Sequence, residues 1–249
     1  MTKAHHIRTM PEVGIILYPG AQAAAVHGLT DILVLADGLA TKGSSPRRRL
    51  RVTHWWAHPG EGDIECIYDS SPSLAPRPTV LVLPPTLVQL GEPAASASLA
   101  GWLRARHAEG VTLLSICSGA YILAATGLLD GRAASTHHSV ADRLAADFPA
   151  VRVDVDQRII DLGDIVTAGG FMAWIDVALM LVERSLGTAI RDATAAFLSV
   201  DPARERRAYA AGAMPVRLAG DAAMAKVLEW IHIRDGSRLA LADLAGRAG

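Results

Sequence analysis

The chain has 249 residues, 51% of them hydrophobic, which is enough for one large buried core and a smaller appendage. Its formal net charge of -1 excludes a protein that is basic over its whole surface, so a DNA-binding surface would have to be local. Two cysteines exclude a disulfide framework, and with an N-terminus that lacks the apolar run of a secretory signal they predict a cytoplasmic protein.

Short apolar runs alternate with helix-forming segments in the first half of the chain. The apolar runs predict four strands, at 13–17, 50–57, 79–83 and 111–116. The other segments predict helices at 21–39, 99–108 and 120–126. Each strand is a continuous apolar run, which is typical of strands that are buried on both faces in a parallel sheet.

The second half of the α/β pattern has shorter strands. Helices are predicted at 139–147, from Phe171 and at 188–198, and short strands at 151–156 and 157–166 around a turn at Leu162-Gly163. The alternation predicts an α/β fold with a doubly wound, mostly parallel sheet sandwiched by helices (flavodoxin-like). A partial all-α segment follows it at the C-terminus.

The expected ligand site of such a sheet lies beyond the carboxyl ends of its strands. Gly20, Pro84, Cys117 and Gly169 all follow predicted strands at that edge.

The character of the sequence changes after Ser199. The charged run DPARERR and the pair Gly212 and Pro215 predict a linker at 199–216. It separates an α/β domain at 11–198 from a segment at 217–249, where apolar residues recur at the spacing of one helical face.

Cys117 is the chemical focus of the sequence, because the strand that ends at Ile116 turns at once into a helix through Cys-Ser-Gly. This is the cysteine version of a nucleophile elbow. The tight turn pushes the side chain out of the sheet, and Gly119 allows close backbone packing. The N–H groups at a helix N-terminus predict a lowered thiol pKa. His137 follows 20 residues later, and a Cys–His pair is predicted if the two strand ends are neighbours.

The tract VTLLSICSGAYILAATGLLDGRAASTHH resembles the central segment of the PfpI-like branch of the class I glutamine amidotransferase-like superfamily. It is most similar to the branch that is fused to an AraC-type DNA-binding domain, the GlxA-like regulators, and the likeness covers about 11–198. The resemblance implies that Cys117 and His137 form a reactive or ligand-facing pair. It also implies a homodimer.

Two departures from that family bear on catalysis. Catalytic members place an acidic residue near the cysteine after the first strand, and the matching position here is Ala25. They also have Gly-Gly where this chain has Pro84-Pro85, and proline has no N–H to offer a developing oxyanion. The loss of one oxyanion donor typically costs about 100- to 1000-fold in rate. These departures predict a pocket that binds without reacting.

The C-terminal tract AMAKVLEWIHIRDGSRLALADLAGRAG resembles the opening of an AraC-type helix-turn-helix region. In such motifs the second helix enters the major groove. The sequence stops at Gly249, where the turn is expected to begin. We therefore expect DNA binding through the complete C-terminal domain, and no specific DNA binding by these 249 residues alone.

The predicted function is ligand sensing in a DNA-binding transcriptional regulator, and not catalysis. We expect an unknown small-molecule effector near Cys117 and His137, no cofactor, no metal and no membrane contact. The predicted ligand-facing residues are Gly20, Pro84, Pro85, Cys117, Ser118, His137 and Gly169. The alternative is a cysteine-dependent hydrolase, amidase or hydratase with Cys117 as nucleophile and His137 as its partner. A third hypothesis is oxidation sensing at Cys117.

The same residues also have structural interpretations. Cys117 and Cys66 would then be ordinary core cysteines. His137 would only hydrogen-bond a neighbouring backbone group. The spacing of His27, His54 and His58 does not suggest a metal site.

Overall fold

The computed structural model describes residues 10–42, 49–59, 63–72, 75–86 and 97–201. The chain divides into two units, Met1–Pro202 and Ala203–Gly249. All described residues belong to the first unit. Most of the predicted linker and the whole predicted segment at 217–249 lie outside them, so those domain boundaries stay predictions.

The described residues form nine strands and six helices that alternate over most of their length. In chain order these elements are β1 (Glu12–Leu17), α1 (Ala23–Lys42), β2 (Arg51–Ala57), β3 (Ile64–Asp69), β4 (Val80–Leu83), α2 (Ala97–Ala108), β5 (Thr112–Ile116), α3 (Gly119–Ala124), β6 (Ala133–Ala134), α4 (His138–Asp147), β7 (Arg152–Val153), β8 (Ile159–Asp161), β9 (Ile165–Ala168), α5 (Trp174–Leu186) and α6 (Thr188–Phe197).

Seven of these strands form one sheet in the order β3-β2-β1-β4-β5-β9-β8. The five central strands are mutually parallel, and only the two edge strands, β3 and β8, run antiparallel to their neighbours. The apolar runs of β1, β4 and β5 suit central positions, because both faces of those strands are covered. The predicted mostly parallel, doubly wound α/β fold is confirmed.

Neighbouring residues of the central strands point into two different cores. Leu114 and Val82 face a cluster that includes apolar residues of α1 and α5. Leu113 and Leu81 face a second cluster formed with α2, α3 and α4. This alternation, with a period of two, is what places helices on both faces of the sheet.

The long helix α1 is apolar enough to cross a membrane by length and composition alone, with a mean hydropathy of 1.4 over 19 residues. Its residues Leu29, Leu33 and Ala36 are fully or almost fully buried in the core beside α5. Core packing accounts for the buried part of this segment, which is 39% of it.

An ionic cluster at the amino ends of the strands attaches edge strand β3 to the sheet. The Arg51 guanidinium donates to the carboxylate of Asp69, with Nε 2.8 Å from Oδ1, and lies 3.4 Å from Glu12 Oε2. Glu12 also accepts hydrogen bonds from the Thr53 hydroxyl and the Arg77 backbone N–H. The side chains of Arg51 and Glu12 are almost fully buried, so each charge offsets part of the desolvation cost of the other.

The structure differs from the sequence prediction mainly at the edges of the sheet. Strand β3 was not predicted, because its sequence IECIYD mixes charged and apolar residues and half of it faces solvent. The segment predicted as a strand at 157–166 is instead two short strands, β8 and β9. The predicted turn at Leu162-Gly163 joins them, with a 2.9 Å hydrogen bond from Leu162 N to Ile165 O.

Candidate functional site

Cys117 lies on the predicted sharp bend between β5 and α3. Its φ is 54°, a left-handed backbone conformation that is uncommon for a residue other than glycine. The backbone N–H donates to Ala168 O at 2.7 Å, and the carbonyl accepts from Ala120 N at 3.2 Å. These bonds on both sides of the residue hold the strained turn in place.

Gly119 is required by the close approach of α3 to the end of β4. A Cβ added at this position would lie 2.4 Å from the Leu83 carbonyl oxygen and 2.9 Å from that of Pro84. Both neighbours are backbone atoms, which cannot rotate away. The predicted role of Gly119 in close backbone packing is confirmed.

The Cys117 thiol is in a different electrostatic state from the one predicted. The residue is 6% exposed, and burial raises the pKa of the Cys117 thiol more than its hydrogen bonds with Ser118 lower it. The expectation of a lowered thiol pKa is therefore wrong in direction. The reason is that desolvation disfavours the thiolate more than the hydrogen bonds with Ser118 favour it.

The loop after β4 presents carbonyl oxygens to the loop after β1. The Tyr18 hydroxyl donates to Pro84 O, and the Gln22 backbone N–H donates to Pro85 O at 2.7 Å. Both prolines are buried. Burial raises the pKa of Tyr18 far above its usual range, and the nearby Cys117 sulfur adds to this shift. Tyr18 therefore stays protonated and can donate.

Thr86 connects this loop to the two segments beside it. Its hydroxyl donates to Gly20 O at 3.0 Å, and its backbone N–H donates to the Ser118 hydroxyl at 2.8 Å. The predicted site residues Gly20, Pro84, Pro85, Cys117 and Ser118 therefore lie together at the carboxyl edge of the sheet.

The segment before α4 reaches the same edge through Thr136. The Thr136 hydroxyl donates to Cys117 O at 2.8 Å, and both residues are buried. Gly169 packs against this segment, since a Cβ at Gly169 would lie 2.7 Å from Ser135 Oγ and 2.8 Å from Thr136 O. Thr136 therefore bonds the Cys117 turn directly, and Gly169 packs against Thr136.

The His137 imidazole caps α4. Its Nδ1 accepts from Ser139 N at 3.2 Å and lies 2.7 Å from Ser139 Oγ, and its ring stacks on His138 with centroids 4.1 Å apart. Burial and His138 lower the pKa of His137, so the ring is neutral near pH 7. Among the described residues no hydrogen bond joins it to Cys117. The Cys–His pair stays a prediction, and the capping bond is a backbone contact of the kind that the structural interpretation expects.

Comparison with known proteins identifies part of this α/β unit. Residues 78–184, which span β4 to α5 and include the Cys117 turn, match the DJ-1/PfpI family. This match covers less than half of the chain. The solved structure of Drosophila melanogaster DJ-1beta has the same fold, with a TM-score of 0.58 and 21% identity over 77% of this chain and 99% of that chain.

Three curated relatives are similar in sequence. The HTH-type transcriptional regulator CdhR of Pseudomonas aeruginosa is 37% identical over 94 residues, which are 38% of this chain and 28% of that protein. The isonitrile hydratase of Pseudomonas putida is 34% identical over 87 residues, 34% of this chain and 36% of that protein. The HTH-type transcriptional regulator GlxA of Rhizobium meliloti is 31% identical over 148 residues, 58% of this chain and 45% of that protein.

The chain spans less than half the length of each of these relatives. Two of the three are transcriptional regulators and one is an enzyme. Regulators and an enzyme therefore both share sequence similarity with this chain.

Position 25, where catalytic members of the resembled family carry an acid, is fully buried. Ala25 is 0% exposed and lies in the first turns of α1. A methyl group there supplies neither a charge nor a hydrogen bond to the Cys117 sulfur.

Other ionisable groups have structural partners. His54 Nε2 lies 2.7 Å from the Thr30 hydroxyl, and burial lowers the pKa of His54 to about 4. Asp176 in the first turn of α5 pairs with Arg158 at 2.6 Å. Within the described ranges, no group of three or more His, Cys, Asp or Glu side chains is placed to hold a metal ion.

Sequence reasoning missed four residues of this edge. Tyr18 and Thr136 hydrogen-bond to the site backbone, as described above. Gln22 and Trp174 each bury a polar atom that lacks a hydrogen-bond partner, Oε1 and Nε1 respectively. Gln22 lies between β1 and α1, and Trp174 is the first residue of α5 after β9. Their place between a strand end and a helix, at the carboxyl edge, is the signal that would have found them.

Proposed function

We propose that this chain is the ligand-sensing part of a transcriptional regulator. In this proposal the DJ-1/PfpI domain binds a small molecule beside Cys117 and His137, and binding alters a DNA-binding domain at the C-terminal side. The observation that carries it is the chemical state of the Cys117 edge, which is poorly suited to acyl transfer.

The first argument concerns the oxyanion. Acyl transfer at a cysteine needs N–H donors directed at the developing negative charge. Pro84 and Pro85 have no N–H. Their carbonyl oxygens accept hydrogen bonds from Tyr18 and Gln22 instead. This loop therefore offers acceptors where catalysis would require donors.

The second argument concerns the nucleophile. The thiolate, and not the thiol, attacks a carbonyl carbon. Burial raises the pKa of the Cys117 thiol, and Ala25 supplies no carboxylate to assist it. A protonated, buried thiol lines a pocket as a small apolar group.

Regulation also fits the relatives, because CdhR and GlxA are HTH-type transcriptional regulators. We infer that DNA is bound through a complete C-terminal domain and that the protein acts in the cytoplasm as a homodimer.

A cysteine-dependent hydrolase, amidase or hydratase is the second candidate. Two observations favour it: the left-handed Cys117 turn has the shape of a nucleophile elbow, and one relative is an isonitrile hydratase. An enzyme of this kind would need its oxyanion donors from groups other than the Pro84-Pro85 loop. It would also need a general base other than residue 25.

Burst kinetics with p-nitrophenyl acetate separate the two candidates. We expect no stoichiometric burst from the wild-type chain, and small-molecule thermal shifts that persist in Cys117→Ala. Cys66→Ala is the matched control, because it removes the other thiol of the chain. A burst that is lost in Cys117→Ala and kept in Cys66→Ala would establish the enzyme and refute the sensor.

A further inference from the structure

His54 is a buried histidine that lies outside the Cys117 edge. It belongs to β2, is 7% exposed, and pairs through its backbone with the apolar Ile15 of β1 and with Tyr68 of β3. Its side chain points to the face of the sheet that α1 covers, because Val52, two residues earlier, packs into the cluster with α1. The imidazole is therefore enclosed between a helix and an edge of the sheet.

The Thr30 hydroxyl fixes which nitrogen of this ring carries a hydrogen. Its single hydrogen is donated to the Val26 carbonyl at 2.8 Å, one turn earlier in α1. His54 Nε2 lies 2.7 Å from the same hydroxyl oxygen, so the oxygen accepts and Nε2 carries the hydrogen. A neutral imidazole already makes this bond, so the bond needs no charge on the ring.

The groups that face the His54 ring supply no counter-charge. From α1 comes a second imidazole, His27, with ring centroids 6.5 Å apart, and from β3 the Tyr68 ring at 4.5 Å. Glu65, further along β3, pairs with His58 instead. An aromatic face attracts a cation less strongly than water hydrates it. Burial therefore lowers the pKa of His54 to about 4, and the nearby His27 adds to this shift.

The other charges near this strand are directed elsewhere. Arg51 is three residues before His54, so it faces the opposite side of the sheet, where it pairs with Glu12 and Asp69. Asp31 of α1 is exposed to solvent. Within the described ranges, His54 forms no ion pair with a carboxylate, whereas His58 and His107 do. A proton on His54 would therefore place an uncompensated charge inside the packing.

We propose that His54 is an acid-sensitive latch between α1 and the β2–β3 edge of the sheet. The neutral ring bonds Thr30 and packs on Tyr68, which holds the helix against this edge. Once the ring is protonated, the cation is stable only where water reaches it, so the packing of α1 against β2 and β3 opens. The latch is separate from the Cys117 edge and does not depend on a ligand.

The pH window follows from the closed and open states of the latch. The pKa of His54 is about 4 in the closed packing and returns to the ordinary 6.5 when the ring is exposed. The open state therefore takes up the proton first as the pH falls below 6.5. The opening equilibrium constant should rise about 20-fold between pH 7 and pH 5. The stability that the neutral ring provides is lost progressively down to the pKa of the closed state.

Backbone hydrogen exchange tests the latch, because it reports opening segment by segment. Protection of peptides from α1, β2 and β3, corrected for the intrinsic pH dependence of exchange, should fall about 20-fold from pH 7 to pH 5. Protection of β5 and β9 should change much less, because these strands lie beyond β1 and β4 in the sheet.

Two variants at position 54 assign the effect to this histidine. His54→Gln keeps a side-chain N–H that can reach Thr30 and does not titrate, so the pH dependence of protection in α1, β2 and β3 should disappear. His54→Phe keeps a ring on Tyr68 and should remove the pH dependence as well. His58→Gln is the matched control, because His58 follows the same strand, is half-exposed and pairs with Glu65. This control should keep the wild-type pH dependence.

Nitrogen-15 NMR of the wild-type histidine rings gives a measurement that needs no variant to fold. We expect His54 to be neutral at pH 7 with its hydrogen on Nε2, and to titrate with a midpoint below 6.5. A midpoint at 6.5, protection of β3 that is unchanged between pH 7 and pH 5, or a pH dependence that survives in both variants would overturn the latch. An equal loss of protection in β5 and β9 would also overturn it, because the opening would then be global.

Discussion

Gly119→Ala is the sharpest structural test of the Cys117 turn. The added Cβ would lie 2.4 Å from the Leu83 carbonyl oxygen, about 1 Å closer than an ordinary van der Waals contact. The neighbour is backbone in a central strand, so relief requires α3 or the end of β4 to move. Overpacking of this kind costs about 1–3 kcal/mol, and a backbone obstacle places the cost near the upper end.

The assay is thermal and urea unfolding followed by tryptophan fluorescence. A loss of about 3 kcal/mol predicts a melting temperature lower by about 6–12 °C for a unit of this size. Gly38→Ala is the matched control, because Gly38 lies in α1 with no atom within 4 Å of an added Cβ. That substitution should stabilise by about 0.5–1 kcal/mol. Equal stability of Gly119→Ala and the wild type would refute the packing argument for the turn.

Three further predictions follow from the contacts of single residues. Thr136→Val should lower the free energy of unfolding in urea by about 1 kcal/mol, because the Cys117 carbonyl loses one of its two donors. Thr136→Ser should retain most of that energy, and a valine variant as stable as the serine variant would contradict this. Arg51 lowers the pKa of Asp69 in the folded protein, so the unfolded chain takes up a proton first as the pH falls. The free energy of unfolding should therefore decrease below the ordinary aspartate pKa of 3.8, and Arg51→Met should flatten that pH dependence. Mild peroxide with dimedone trapping should label Cys117 slowly, because burial raises its thiol pKa, and rapid labelling would support oxidation sensing instead.

The parallel core of the fold was predictable because β1, β4 and β5 are short, mostly apolar runs. Strand β5 is an example: TLLSI leads straight into Cys117, and four of its five residues are buried. Strand β3 was not predictable in the same way. Its position depends on Arg51 and Asp69, which are 18 residues apart and meet only when the antiparallel edge has formed.

The candidate site was predictable in its backbone and not in its electrostatics. The motif Cys-Ser-Gly predicted the turn and the need for glycine at position 119, because both follow from local geometry. The direction of the thiol pKa shift depends on how many buried residues surround the sulfur, and those residues come from several distant strands and helices. Gln22 was not predicted for the same reason, because only the folded structure shows that its Oε1 has no hydrogen-bond partner.

The hydrogen bonds of this edge also indicate which groups remain available to a ligand. The Tyr18 hydroxyl is used on Pro84, the Thr136 hydroxyl on Cys117 O, and the Ser118 hydroxyl on the Thr86 backbone. These three groups fix the loops relative to one another, so they cannot change partner without loosening the turn. Among the described residues, the carboxamide oxygen of Gln22 has no hydrogen-bond partner. Substitution at Gln22 should therefore cost less stability than substitution at any of the three hydroxyls.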